Sequence, residues 1–121
     1  EVRRFTAGST GFFKKVLDPQ RFGVPVFDGV PRRVIRIEEK PARPRSSFAT
    51  VGFYLFDARV FGIIRTLTPS GRGQLEITDV VNRYISDNAF QHTFVKGFWA
   101  DVGTFDSLMS TAHWLEKRSK R

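Results

Sequence analysis

The sequence predicts an α/β fold with about three helices. Several short segments rich in β-branched and aromatic residues are bounded by glycine and proline, which is typical of strands. Three later segments carry apolar residues three and four positions apart, which is typical of helices with one buried face. The 121 residues, of which 40% are hydrophobic, suit a single domain spanning residues 1–121.

The strand signals dominate the first half of the chain. Strands are predicted at residues 10–16, 24–27, 33–37, 48–56, 93–95 and 98–100. Asp28, Gly29 and Pro31 mark a turn between the second and third, so we expect these two strands to pair as a hairpin. The fourth is the most apolar, and we expect it to be buried on both faces.

Helical spacing is clearest in residues 77–85, where the apolar side chains share one face. Residues 56–67 and 105–112 show the same spacing. Thr104 is a suitable N-cap for the last helix, because its side-chain oxygen can accept a hydrogen bond from a free backbone N–H of the first turn.

Composition narrows the function classes. The net charge is +8, from 20 Lys+Arg against 12 Asp+Glu, which favours anionic partners. The arginines do not alternate with aromatic residues as in a single-strand binding platform, so nucleic-acid binding is not favoured. Without cysteine there is no thiolate metal site. No apolar run is long enough to span a bilayer, so we expect a cytoplasmic protein with no membrane partner.

The first candidate motif is IEEKP at residues 37–41, where a predicted strand enters a proline loop. A strand end holds functional side chains rigidly. Glu39 offers oxygens to sugar hydroxyls, and Lys40 offers a positive charge to a phosphate. The alternative is an ordinary surface Glu–Lys pair of small energetic value.

The second motif is SGRGQLEITD at residues 70–79. Two glycines flank Arg72, so the backbone can approach a ligand and the guanidinium can fork onto a phosphate. The alternative is an ordinary loop that leads into a helix.

The third motif is FWADVGT at residues 98–104, which places Asp101 between a predicted strand and a helix. One carboxylate there can hold Mg²⁺, which keeps several waters and takes one or two protein carboxylates. The alternative is a turn aspartate.

Weaker signals come from a glycine and two histidines. Gly23 enters a predicted strand, where it permits close approach of a ligand. His92 and His113 match no catalytic or metal-binding pattern, and we expect both to lie on the surface.

Taken together, five blocks resemble those of glucose-1-phosphate thymidylyltransferases, in the sugar-1-phosphate nucleotidyltransferase family. The resemblance covers about residues 9–118. In order, the blocks are residues 18–24 (DPQRFGV), 38–41 (EEKP), 51–54 (VGFY), 72–79 (RGQLEITD) and 99–104 (WADVGT). A phenylalanine at position 22 stands where this family often has tyrosine.

The resemblance implies a mixed sheet and transfer of a nucleotidyl group, with dTTP as the expected donor, to a hexose 1-phosphate with release of pyrophosphate. Lys40 and Arg72 would face the sugar phosphate as catalytic residues, and Asp101 would be one of two Mg²⁺ aspartates. The implied substrate-binding residues are Gly23, Glu39, Lys40, Val51, Gly52, Tyr54 and Arg72.

The family's glycine-rich triphosphate loop (G-G-x-G-T-R-L), its base-binding segment and its other Mg²⁺ aspartate have no counterpart in this sequence. We therefore expect the sugar-phosphate-binding, C-terminal half of such an enzyme, inactive alone and meeting a nucleoside triphosphate only when the N-terminal half is supplied. Missing strands would leave residues 48–56 near an open edge, so we expect a homo-oligomer. Two alternatives are a non-catalytic sugar-phosphate-binding or assembly module and a basic nucleic-acid-binding domain.

Overall fold

The computed structural model describes residues 4–29 and 33–119. This part of the chain folds as a mixture of strands and helices, which confirms the predicted α/β class. The strands are β1 (Ser9–Lys15), β2 (Gly23–Asp28), β3 (Arg33–Glu39), β4 (Phe48–Phe56) and β5 (Phe90–Phe94). The α-helices are α1 (Val60–Arg65), α2 (Ile77–Ser86) and α3 (Phe105–Ser119), and Pro19–Arg21 form a short 3₁₀ turn.

The strands form two small sheets. In the three-stranded sheet the order is β4-β1-β5, with β1 antiparallel to β4 and parallel to β5. The sheet is therefore mixed, as expected. Strands β2 and β3 form the predicted antiparallel hairpin. Pro31 of the predicted turn lies outside the described residues.

A bulge interrupts β4 in its middle. Gly11 of β1 pairs with Tyr54, whereas Phe13 pairs with Thr50, so residues 51–53 of β4 have a single opposite residue on β1. Gly52 has φ +70°, a left-handed conformation that suits glycine. Bulges bend a strand and redirect its side chains, and they are common beside active sites.

Helix α2 packs its apolar face on the sheets. Val80, Val81 and Tyr84 are buried, and Val81 joins Phe13 of β1 in the core. Asn82 fixes the helix to β3, because its side-chain amide exchanges two hydrogen bonds with the Ile37 backbone, at 2.7 Å and 2.9 Å. The start of α2 is thereby held beside the end of β3.

A hydrogen-bond network centred on the partly buried Asp57 joins the ends of β4, β1 and α2. The Asp57 carboxylate accepts hydrogen bonds from the Gly8 N–H at 2.8 Å, the Tyr84 hydroxyl at 2.8 Å and the Arg59 Nε–H at 2.9 Å. Burial acts to raise the pKa of Asp57, but these bonds outweigh it and lower the pKa to about 2. Burial and the Asp57 hydrogen bond raise the pKa of Tyr84 to about 12.

Some predicted elements differ from the observed ones. Strand β4 is not buried on both faces: Ala49 and Thr50 are buried, but Phe53 is 51% exposed, because the bulge turns this part outward. Helix α1 has six residues rather than the predicted twelve. None of its residues is buried, so no packing supports a longer helix.

The segment before α3 also differs. Among the described residues, 98–100 form no strand, because Gly97 at φ +78° takes the chain away from the sheet. The N-cap prediction is confirmed: Thr104 Oγ1 accepts the Ser107 N–H at 3.2 Å. Within the described part of the chain, no helix has the length and apolar character needed to cross a membrane.

Candidate active site

An open cavity of about 510 Å³ lies between the β2–β3 hairpin, the β4 bulge and the segment before α3. Every predicted site residue except Arg72 lines it. Segments far apart in sequence therefore bring these side chains to one place. The predicted residues on its wall are Gly23, Glu39, Lys40, Val51, Gly52, Tyr54 and Asp101.

Glu39 is one of two anionic residues that line the cavity, the other being Asp101. Its Oε2 accepts a 2.5 Å hydrogen bond from the hydroxyl of Thr78, which is buried in the first turn of α2. Its Oε1 lies 3.7 Å from Nη1 of Arg72. The two hydrogen bonds between Asn82 and the Ile37 backbone hold α2 against β3 and bring Thr78 within reach of Glu39. The packing of α2 therefore orients the Glu39 carboxylate.

Arg72 lies outside the cavity wall, in a tight loop, and is linked to the cavity by its ion pair with Glu39. The same Nη1 atom lies 3.6 Å from Oε1 of Glu76. Ser70 closes the loop: its hydroxyl donates to Glu76 Oε1 at 3.0 Å and accepts the Arg72 N–H at 3.2 Å. The guanidinium thus sits between two carboxylates that are themselves held by hydroxyl groups.

Lys40 has an unusual backbone conformation. Its φ of +43° lies in the left-handed region, which costs a residue with a side chain roughly 1–2 kcal/mol. Its N–H donates to the Phe22 carbonyl at 3.0 Å. Backbone strain of this kind collects at functional sites, and here it coincides with a lysine predicted to bind phosphate.

The bulged part of β4 supplies the opposite wall. Val51, Gly52 and Tyr54 line the cavity on this side. Burial raises the pKa of Tyr54; a side-chain hydrogen bond with Thr50 opposes the shift, and the charge of Glu39 adds to it. The phenol therefore keeps its proton at neutral pH and remains a hydrogen-bond donor.

Gly23 is required by packing. A Cβ at this position would lie 2.9 Å from Thr50 Oγ1 and 3.3 Å from the Ile37 side chain. The absence of a side chain lets β2 lie close against β4. The structure thus gives Gly23 a role that strand-entry reasoning did not find, in addition to its place on the cavity wall.

Asp101 lies at the far end of the cavity beside Arg21. Its Oδ2 is 3.5 Å from Arg21 Nη2, and Arg21 also pairs with Asp18 at 2.9 Å. Among the described residues, no group of three or more potential ligands is placed to hold a metal ion. A single carboxylate of this kind fits a Mg²⁺ ion that keeps most of its waters, with Asp101 as one ligand.

Sequence reasoning missed the residues that orient the predicted ones. Thr78, Ser70 and Glu76 lie inside the second motif, but their partners could not be assigned from spacing. Arg21 lies inside the first resemblance block without a predicted role. His92, expected on the surface, is half-buried against Phe13 and Phe27, and burial lowers its pKa.

Comparison with known proteins identifies the family to which the chain is similar. The family model described as nucleotidyl transferase matches residues 3–118. Glucose-1-phosphate thymidylyltransferase of Actinoplanes sp. (strain SE50/110) is 44% identical over 114 residues, which are 93% of this chain and 37% of that protein. The enzyme of the same name from Neisseria meningitidis (strain Z2491) is 40% identical, over 92% and 39% of the two chains.

Solved structures show the same fold. A Bacillus anthracis protein described as a glucose-1-phosphate thymidylyltransferase, in complex with sucrose, superposes with a TM-score of 0.83 at 40% identity, over 93% of this chain and 45% of that one. A UDP-glucose pyrophosphorylase in complex with UDP-glucose gives a TM-score of 0.82 at 19% identity, over 92% and 45%. This chain thus spans between 37% and 45% of the length of these proteins.

Proposed function

Because the chain belongs to the nucleotidyl transferase family, we propose that it carries the sugar 1-phosphate side of an enzyme of nucleotide sugar biosynthesis. That enzyme would couple dTTP and a hexose 1-phosphate, giving a nucleotide sugar and pyrophosphate. The observation that carries the proposal is the convergence of Glu39, Lys40, Tyr54 and Asp101 on one cavity, with Arg72 paired to Glu39.

The cavity divides into a sugar part and a phosphate part. Glu39 accepts hydrogen bonds from sugar hydroxyls, and the Tyr54 phenol donates one. The backbones of Gly23, Val51 and Gly52 line the sugar part of the wall. Lys40 and Arg72 neutralise the phosphate, Arg72 through a two-pronged contact that lysine cannot make.

In the complete reaction, an oxygen of the sugar phosphate attacks the α-phosphorus of the nucleotide, and the bond to pyrophosphate breaks. Such chemistry depends on positioning and charge neutralisation, which Lys40 and Arg72 supply at the acceptor. Asp101 would hold Mg²⁺, whose contribution is to neutralise phosphate charge. Nucleoside triphosphate would bind where a nucleotide-binding part of the family fold is supplied.

Calorimetric titration of this chain tests the binding proposal. We expect it to bind glucose 1-phosphate more tightly than glucose, inorganic phosphate or dTTP. Arg72→Gln is expected to weaken glucose 1-phosphate binding about tenfold or more, the size of a charged hydrogen bond. The matched control is Arg83→Gln, since Arg83 of α2 pairs with Asp87, just beyond the end of the helix, and neither residue lines the cavity. Equal losses in both variants would refute the assignment.

Activity is a separate test. We expect no pyrophosphorylase turnover when this chain alone is given dTTP, Mg²⁺ and glucose 1-phosphate. Turnover by the purified chain would refute that expectation. Steeply salt-dependent DNA binding in place of sugar-phosphate binding would instead favour the alternative of a basic nucleic-acid-binding domain.

We also propose that the chain self-associates. Strand β4 lies at an edge of the described three-stranded sheet, and an open edge is a template for another strand. Phe53 on β4 is half exposed. Light scattering is expected to show a homo-oligomer, and a monomer at all concentrations would refute self-association.

A further inference from the structure

The guanidinium of Arg72 is the most exposed and least tightly bound member of the Glu39–Arg72–Glu76 group. Glu39 is held by Thr78 and Glu76 by Ser70, and their side chains are 25% and 14% exposed. The Arg72 side chain is 46% exposed and lies 3.6–3.7 Å from both carboxylates, which is beyond the length of a strong charged hydrogen bond. Two fixed anions thus share one loosely held cation.

The two anions differ in what they face. Glu39 lines the cavity, whereas Glu76 and Arg72 do not. Thr78 occupies Oε2 of Glu39, and Arg72 lies against Oε1. Each oxygen of the proposed sugar-binding carboxylate thus has a protein partner beside it, and a sugar hydroxyl that approaches Oε1 on the Arg72 side meets the guanidinium.

Resting on the proposed function, we propose that Arg72 exchanges Glu39 for the incoming phosphate and thereby frees Oε1 of Glu39 for the sugar. A phosphate dianion competes well with one carboxylate because it carries more charge and accepts a two-pronged contact. Glu76 is a positioning residue: it keeps its pairing with Arg72 and holds the guanidinium at the cavity rim. Phosphate recognition and hydroxyl recognition are then coupled through one side chain.

The exchange predicts effects of opposite sign on two ligands. In Arg72→Gln, Glu39 is no longer covered, so affinity for free glucose should rise about two- to fivefold, the range that an exposed ion pair corresponds to. Affinity for glucose 1-phosphate should fall in the same variant. An arginine that only contacts phosphate would leave glucose binding unchanged, and a merely structural one would weaken both.

Glu76→Gln is a second variant that tests the exchange. Without Glu76, Arg72 is drawn wholly to Glu39, so free glucose should bind more weakly than to the unaltered chain. The double variant Arg72→Gln/Glu76→Gln should match Arg72→Gln alone, because the effect of Glu76 acts through Arg72. Arg83→Gln is the matched control and should change neither affinity.

The measurement is an NMR titration of the full chain with glucose, and with glucose in saturating inorganic phosphate. In the unaltered chain, phosphate should strengthen glucose binding, and this gain should disappear in Arg72→Gln. If the unaltered chain binds glucose 1-phosphate but glucose binding is unchanged or weakened in Arg72→Gln, the proposed exchange is overturned. Absence of glucose 1-phosphate binding to the unaltered chain would overturn the proposed function itself. If Arg72→Gln does not fold, Arg72→Lys, which keeps the charge without the fork, should show both shifts at reduced size.

Discussion

Two carboxylates of this molecule, Asp57 and Glu39, have contrasting surroundings. Asp57 accepts hydrogen bonds from Gly8, Arg59 and Tyr84 within 2.9 Å and lies outside the cavity wall. Glu39 has one short bond, from Thr78, and one long ion pair, and it lines the cavity. A carboxylate whose acceptor positions are filled by close partners holds the fold together, whereas one with a replaceable partner is suited to bind a ligand.

The same contrast shows that a strongly shifted pKa does not by itself mark a ligand-binding residue in this protein. Strong perturbation is a frequent sign of a functional site. Here the pKa of Asp57 is lowered to about 2 and that of Tyr84 is raised to about 12, yet neither residue lines the cavity. In this fold the shifts record a structural network that ties the ends of β1, β4 and α2 together.

The largest effect is expected from Tyr84→Phe. The ring and its contact with Phe56, at 5.6 Å between centroids, are kept, but Asp57 loses a hydrogen-bond donor. Asp57 keeps its Gly8 and Arg59 donors, so the loss is that of one hydrogen bond from the buried Tyr84 hydroxyl, a contribution of about 1–1.5 kcal/mol to the unfolding free energy. Urea denaturation should show this loss, and glucose 1-phosphate titration should show unchanged affinity. A parallel loss of affinity would mean that the two carboxylate networks are not independent.

Glu39→Gln should give the converse result. Thr78 can still donate to the amide oxygen, and the ion pair that is lost is long and partly exposed, so the unfolding free energy should change by less than about 1 kcal/mol. Sugar hydroxyls lose a charged acceptor, so glucose 1-phosphate affinity should fall about tenfold. Denaturation and calorimetry on the same preparation check both parts. A large loss of stability would assign Glu39 a structural role like that of Asp57.

Lys40→Gly should separate binding from backbone strain. Glycine adopts the left-handed conformation without strain but loses more backbone entropy on folding, so the net gain in stability should be roughly 0.5–1 kcal/mol. Loss of the amine should weaken glucose 1-phosphate binding. Asn88→Gly is the matched control, because Asn88 has φ +53° just beyond the end of α2. It should leave affinity unchanged. Destabilisation by Lys40→Gly would show that the lysine side chain supports the fold.

The smallest effect is expected from the acid sensitivity of His92. Burial lowers its pKa below the usual value of 6.5, so the unfolded chain binds the proton more readily than the folded one. The contribution to stability is complete above pH 6.5 and declines as the pH falls below it. His92→Gln should flatten thermal stability across this range, and the exposed His113→Gln should not. Identical pH profiles for both variants would contradict this assignment.

Features encoded within short stretches were predicted from sequence. The apolar stripe of α2, the β2–β3 hairpin and the N-cap at Thr104 depend on neighbours a few residues away. The position of Glu39 and Lys40 at the end of β3 follows in the same way. These signals survive in an isolated segment because they reflect local periodicity and turn chemistry.

Features that join distant segments were not predicted. Asp57 and Gly8 are 49 residues apart in sequence, and Thr78 and Glu39 are 39 apart. No local pattern encodes such pairs, since they form only when the strands and α2 have docked. The β4 bulge was missed for the same reason, because it is defined by register against β1. The grouping of site residues therefore came from family resemblance.

The position of β1 in the middle of its sheet has a kinetic consequence. Ser9 pairs with Phe56 on one side and with Phe90 on the other. Both pairings close long loops, whose entropy cost precedes any gain from contact, and such topologies fold slowly. During folding, β1 stays open on at least one flank until β5 arrives. In that interval it can pair with another chain.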